Sequence, residues 1–324
     1  MSPRAAVAVA FVLLALPPAR TLAQPAWPAK PVRMLVGYAP GGPVDIVGRL
    51  TAQRLSELLG QAVLVENRPG AGATIASEAV ARAVPDGYTL LTAGGGELSI
   101  APSIYPALGY NPLKDLAAIG LIASSPLMLV VNPRVPVQDV KALVALVRGQ
   151  PGKVNFASSG SGSTAHLASE LFASMTGTQI VHIPYKGAGP AAAAVLAGEA
   201  QLLFSSITAA LPLARAGRVT ALAMTSPKRS PLAPEVPTLN EQGIFNVEVP
   251  SWYTLMAPAK TSREAAERLR AEVRRVVAIG EFRDSLARQA IDVQVMPQAE
   301  FTTFLKADTA KYAAVVKKSK ITAE

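Results

Sequence analysis

The chain has no cysteine. That excludes a disulfide framework and a lipid-anchored cysteine. It has two histidines, His166 and His182, and neither stands at metal-ligand spacing from a carboxylate; no metal is expected. Beyond residue 23 no uninterrupted apolar run reaches the roughly 20 residues that cross a bilayer. Lys and Arg outnumber Asp and Glu, 31 to 22, but the excess is spread along the chain without an aromatic-interleaved cluster. This argues against nucleic acid and for a weak general field that favours small anions. No Gly-x-Ser-x-Gly surrounds Ser163, and Ser163 and His166 share one short helical stretch. A nucleophile and its base normally come from different elements. The stretch from Gly70 imitates a dinucleotide loop, but Ile75 stands where the third glycine belongs, so no cofactor is expected either.

What is present begins with a secretory signal over residues 1–23. Arg4 supplies the basic start, residues 5–16 a short apolar core, and Thr21 to Ala23 a small-residue cleavage site. Export without cysteine suits a bacterial periplasm. Cleavage removes Arg4 and Arg20 from a formal charge of +9. With 324 residues, half of them hydrophobic, the chain is long enough for two α/β lobes.

Short β-rich runs alternate with Ala-rich helical stretches, the pattern of an α/β fold with mainly parallel strands. Strands are expected over 33–38, 62–66 and 88–93, with helices over 44–59, stopped by Gly60, and 73–84. The pattern recurs with strands over 153–157, 179–183 and 200–205 and helices over 163–175 and 190–196. The second loops of the two sets align glycine on glycine, RPGAGATIASEAVA against YKGAGPAAAAVLAG. The chain therefore reads as two similar β-loop-α-β-α-β units. Strands over 127–132 and 252–257 are placed to cross between them. A capped amphipathic helix over 262–279, a final helix over 298–318 and a proline-rich surface loop over 226–237 complete the reading.

Two loops stand out. Each ends a strand and opens a helix, YAPGGPVDIVGRL from Tyr38 and SSGSGSTAHLASE from Ser158. Such a loop is either a tight turn with a helix cap, or half of an anion cradle. In the cradle reading, unpaired helix N–H groups face the ligand, Gly41 and Gly42 permit close approach, and Ser161, Ser163 and Thr164 add hydroxyls. Asp45 is accounted for by the helix dipole, or holds water or a ligand ammonium. His182, at a strand end, reads as a structural or rim residue.

These segments resemble the substrate-binding proteins of tripartite tricarboxylate transporters, the Bug family of periplasmic receptors. Carrying the resemblance are WPAKPVRMLV, PGGPVDIVGRL, VENRPGAG, PDGYTLL, FASSGSGSTAHLASELF, HIPYKGAGPA, PEVPTLNEQG and SWYTLMAP, in that order from near residue 27 to residue 258. The resemblance implies a two-lobed periplasmic binding protein of type II-like α/β architecture, with two doubly wound sheets joined by a hinge near Pro126 and Val247. Residues 24–126 and 248–324 would form lobe 1, and 127–247 lobe 2. It implies a non-enzymatic, monomeric receptor for a small organic carboxylate (a di- or tricarboxylate, aromatic acid or amino acid). The receptor would deliver its ligand to the large and small membrane subunits of a permease; the alternative is a sensory receptor that passes the bound state to a signalling partner. The implied ligand-binding set is Tyr38, Gly41, Gly42, Asp45, Ala93, Gly94, Gly95, Ser158, Gly160, Ser161, Gly162, Ser163, Thr164, His166, Phe204 and Ser205. Where relatives often carry Asp after Phe, this chain has Ser205, which weakens the case for an ammonium-bearing ligand. The run Ala93-Gly94-Gly95-Gly96, almost bare of side chains, is expected to admit a larger or flatter acid.

Overall fold

The computed structural model describes residues 27–319 and 321–322; the signal segment and its cleavage site lie outside the described residues. The chain runs β1 (Val32–Val36), α1 (Pro43–Leu59), β2 (Val63–Asn67), α2 (Thr74–Ala81), β3 (Thr89–Gly94), a π-helical turn (Gly96–Ile100), α3 (Ala101–Ile104) and β4 (Leu116–Ser125). After Pro126 come β5 (Leu127–Val131), α4 (Val140–Gly149), β6 (Val154–Ser158), α5 (Thr164–Thr176), β7 (Ile180–Pro184), α6 (Ala188–Ala197), β8 (Leu202–Ser206), α7 (Ile207–Arg215) and β9 (Thr220–Met224). The return brings β10 (Ser251–Pro258), α8 (Arg263–Ala278), α9 (Gly280–Ala287), β11 (Asp292–Met296) and α10 (Gln298–Ser319).

Two mixed sheets result, in the order β11-β4-β10-β3-β1-β2 and β7-β6-β8-β5-β9. The repeat legible in the loops extends to the topology. β1 pairs in parallel with β2 and β3, as β6 does with β7 and β8. Each sheet then takes in one antiparallel strand, β10 beside β3 and β4 in the first, β5 beside β8 and β9 in the second. Only β11 lacks a counterpart.

Helices cover both faces of each sheet, so the central strands are apolar on both sides rather than alternating. In the first sheet Met34, Leu90 and Leu255 meet Leu55 and Val273 on one face, while Leu35, Leu91 and Met256 meet Val80 and Leu305 on the other. In the second sheet Leu129, Phe156 and Phe204 meet Phe172 of α5, and Val130, Ala157 and Leu203 meet Val195 and Ile207. α10 touches both cores: Phe301 and Leu305 pack in the first, Tyr312 and Val316 in the second.

Some expectations need correction. β5 and β10 do not cross between sheets; each begins just after a crossing and lies wholly in one sheet. β4, half of whose ten residues are Ala and Ser, has no counterpart in the sequence reading, because those residues carry little strand signal. The helix expected from residue 73 starts at Thr74, since Ala73 is left-handed at φ 74°, and it stops at Ala81. α4, α7, β9, α9 and β11 are further elements not assigned from sequence.

Candidate ligand-binding site

The loop after β1 turns on Gly41, at φ 85°, and enters α1 through Gly42 as N-cap with Pro43 in the first helical position. Asp45 reaches back into this loop. Its carboxylate accepts hydrogen bonds from the Gly41 N–H at 3.0 Å, Arg49 Nε at 2.9 Å and Asn67 Nδ2 at 2.8 Å, and Asn67 also donates to the Tyr38 carbonyl. Burial pushes the Asp45 carboxyl up, but the bonds from Arg49, the Gly41 amide and Asn67 outweigh it and hold the group below the usual carboxylate range. Asp45 thus builds its own loop, and Arg49 neutralises its charge.

The loop after β6 repeats the turn with Gly162, at φ 80°, and enters α5 through Ser163, whose Oγ accepts from the His166 N–H at 3.2 Å. The His166 ring Nδ1 accepts from the Gly162 N–H at 3.1 Å, so the neutral ring carries its proton on Nε2. His166 stacks on His182 at 3.8 Å between centroids, and His182 on Phe156 at 4.8 Å. His182 Nε2 lies 2.6 Å from Ser158 Oγ. Burial, with the neighbouring His182 as a second cause, depresses His166 to about 3; burial depresses His182 to about 4. With Ser163 capping a helix and His166 Nδ1 occupied by a backbone amide, the two form no nucleophile–base pair.

A third wall comes from the end of β3. A Cβ on Gly95 would stand 3.1 Å from Trp252 Nε1, and one on Gly96 would stand 3.0 Å from Tyr38 Oη and 3.2 Å from the Gly162 carbonyl. The bare glycines therefore do not leave spare room above Gly95. Trp252 fills that space, its indole N–H donating to Asp308 on α10 at 3.1 Å. Behind the glycines lies Glu97, fully buried, with its carboxylate accepting from the Gly94 N–H at 2.7 Å and Tyr38 Oη at 2.9 Å.

Between these walls and the second sheet lies a cavity. Of the expected residues, Tyr38, Gly42, Gly94, Gly95, Thr164, Phe204 and Ser205 line it. Gly41, Asp45, Ala93, Ser158, Gly160, Ser161, Gly162, Ser163 and His166 do not line it; Gly160 and Ser161 line a separate pocket with Gly72 and Tyr185. The lining also contains residues the sequence did not single out, including Val44, Ser159, Ala188, Ser206, Ser251 and Trp252. Ser206 caps α7, a helix the sequence did not show. Trp252 had a signal, an aromatic at the head of a returning strand. Glu97 had none, since an acid after glycines reads as solvated.

No Lys, Arg, His, Asp or Glu lines the cavity among the described residues. Four helices instead point their N-termini at it: α1 through Gly42 and Val44, α5 through Thr164 and Ala165, α6 through Ala188, and α7 through Ser206. The buried Ser205 hydroxyl has no hydrogen-bond partner among the described residues. The two sheets' loops also touch. Tyr105 Oη donates to the Ser161 carbonyl at 2.9 Å, the Ala39 N–H to the Lys186 carbonyl at 3.2 Å, and Thr164 Oγ1 lies 3.0 Å from Ser251 Oγ.

Comparison with known proteins places this arrangement. A family model described as "Tripartite tricarboxylate transporter family receptor" matches residues 47–321. The chain belongs to that family. Protein BugT of Bordetella pertussis is 34% identical over 294 residues, covering 90% of this chain and 90% of BugT. The structure of the periplasmic binding protein BugD superposes with a TM-score of 0.87 at 32% identity, over 92% of this chain and 100% of BugD. R. palustris Rpa4515, solved with adipate, gives 0.88 at 32% identity, over 91% and 99% of the two chains. This receptor therefore has the two-lobed α/β fold of the periplasmic binding proteins, and like its family it binds solute rather than transforming it. Among the described residues no helix is long and apolar enough to cross a membrane, and no cluster of side chains could hold a metal ion.

Proposed function

We propose that this receptor is exported by residues 1–23 to the periplasm. There it binds one small organic carboxylate between its sheets and hands it, as a monomer, to the large and small membrane subunits of a tripartite permease. Four helix N-termini converging on a cavity without charged side chains carry this reading. Helix N-terminal amides and dipoles favour an anion without a paired cation, and Ser205 offers an unspent hydroxyl. The relative solved with adipate supports the same ligand class. The apolar lining from Val44, Leu127, Leu203 and Phe204 suits the carbon skeleton of such an acid. We take residues 24–126 with 248–324 and residues 127–247 as the two lobes. Their closure would join Gly42 to Thr164 around the ligand, and a ligand touching both sides binds the closed state preferentially.

Calorimetry on the mature protein with adipate, succinate, benzoate and glutamate tests this. At least one acid should bind one to one with a dissociation constant near or below about 1 μM, roughly −8 kcal/mol. Ser205→Ala should weaken it by about tenfold, the scale of one hydrogen bond to a charged group. Failure of every acid to bind, with a neutral or cationic solute binding instead, would overturn the reading.

A further inference from the structure

We propose that Glu97 couples ligand binding to proton uptake, so that the receptor holds its acid most tightly when the Glu97 carboxyl carries a proton. The inference rests on the carboxylate reading of the cavity. It goes beyond that reading by assigning a proton-linked role to a residue that does not itself line the cavity.

The geometry places Glu97 one layer behind the wall. Its Oε2 lies 2.9 Å from Tyr38 Oη and 4.0 Å from where a Gly94 Cβ would stand, and both Tyr38 and Gly94 line the cavity. An ionised Glu97 has two consequences for an anion in front of that wall. It places a buried negative charge behind the wall, where low polarity weakens screening. It also binds the Tyr38 hydroxyl hydrogen, the wall's own donor. A protonated Glu97 removes the charge and frees the Tyr38 hydrogen to turn toward the ligand. Both effects have the same sign.

Among the described residues no cation pairs with Glu97. Tyr110 Oη donates to its backbone carbonyl at 2.6 Å, Tyr105 lies beyond, and Glu78 of α2, near Tyr110, is paired with Arg82 at 2.6 Å. On α10 the facing groups are Asp308, which accepts from Trp252, with Tyr312 and Lys311 close by. On α5 stands the neutral His166, whose Nδ1 is held by Gly162. Burial is the main cause that lifts Glu97 to about 7, above the pull of its hydrogen bonds from the Gly94 amide and Tyr38. Its proton is therefore exchangeable near neutral pH. An anion bound in front of it raises that value further, and the proton comes from solvent.

Two measurements test this. In the ligand-free protein, carboxyl NMR of labelled glutamate, assigned by Glu97→Gln, should show a Glu97 midpoint near neutrality; a midpoint in the ordinary carboxylate range overturns the inference. Calorimetry of the tightest binder among adipate, succinate, benzoate and glutamate, at pH 6 and pH 8.5 in buffers of different ionisation heat, should show uptake of up to one proton. The dissociation constant should then rise above neutrality by up to about tenfold per pH unit. Glu97→Gln, which keeps the shape and the acceptor for Gly94, should bind with nearly the pH 6 affinity at both pH values. Binding that is independent of pH in the wild type, or equally pH-dependent in Glu97→Gln, overturns the inference while the receptor reading stands. No binding by any of the four acids overturns both.

Discussion

At the ends of β1 and β6 the chain makes the same turn with different chemistry. Gly41 and Gly162 take φ of 85° and 80°; the N-caps Gly42 and Ser163 follow at φ −80° and −72°. In both, the side chain in the third helical position reaches back to the amide of the left-handed glycine: Asp45 to Gly41, His166 to Gly162. One acceptor is a carboxylate neutralised by Arg49 and hydrogen-bonded by Asn67, the other a neutral imidazole stacked on His182. The second pair of loops agrees as closely, with Gly70 at φ 138° and Gly187 at 137°. The geometry needs an acceptor at this position, and either residue type satisfies it once its charge is quenched. An uncompensated negative charge there would repel an anion at the helix end, which explains why Asp45 is so fully paired.

The largest effect expected from this difference is on acid stability. A buried histidine held neutral lowers stability as pH falls below about 6.5, because only the unfolded chain takes up the proton. With folded values near 3 and 4, His166 and His182 keep this loss running through that whole window. Asp45, held below the ordinary range, loses its contribution only in stronger acid, through its own depressed titration. Glu97 has the opposite sign: raised to about 7, it makes the folded state weaker as pH rises from the ordinary carboxylate range toward neutrality. In Glu97→Gln protein, where that opposing titration is gone, urea unfolding should show a fall of about 2 kcal/mol per histidine ring between pH 7 and pH 5. A flat profile would mean that the rings are not held neutral.

A smaller effect separates the two left-handed glycines. A Cβ on Gly41 meets nothing within 4 Å, while one on Gly162 stands 3.3 Å from Tyr105 Cε2. Gly41→Ala should therefore cost only the backbone strain, about 1 kcal/mol. Gly162→Ala should cost about 2 kcal/mol, because the Tyr105 contact with Ser161 must give as well. Equal midpoints in urea would show that the contact is immaterial.

The smallest expected effect is on binding alone. Gly42 lies at φ −80°, so a side chain there strains nothing, and its Cβ would face Ala188 Cβ at 3.9 Å on the opposite sheet. Gly42→Val should lower affinity for the bound acid about tenfold, roughly 1.4 kcal/mol, with the melting temperature nearly unchanged. Unchanged affinity would reduce this loop to a turn.

Much of this was legible from residue order. Glycines at strand ends, the caps of α1, α5 and α8 and the apolar central strands are local matters, decided by backbone sterics and by the burial of both sheet faces. The internal repeat could be read for the same reason, because loop glycines mark positions where no Cβ fits. β4 and α7 could not be read this way, since their strand and helix character comes from neighbours rather than from their own composition. Seven of the residues singled out beforehand line the cavity, and the others do not. A motif identifies a loop, but only packing decides which of its atoms face the ligand.

The sequence by itself determined that this is a two-part α/β chain in which glycine loops end strands and open helices. Tertiary structure alone decided that Trp252 occupies the space above Gly95, that four helix ends converge on one cavity, and that Glu97 is buried behind Tyr38 with no cation paired to it among the described residues. Each of these depends on side chains far apart in the chain meeting across two sheets. Burial and charge environment are properties of that meeting and cannot be read from any one segment.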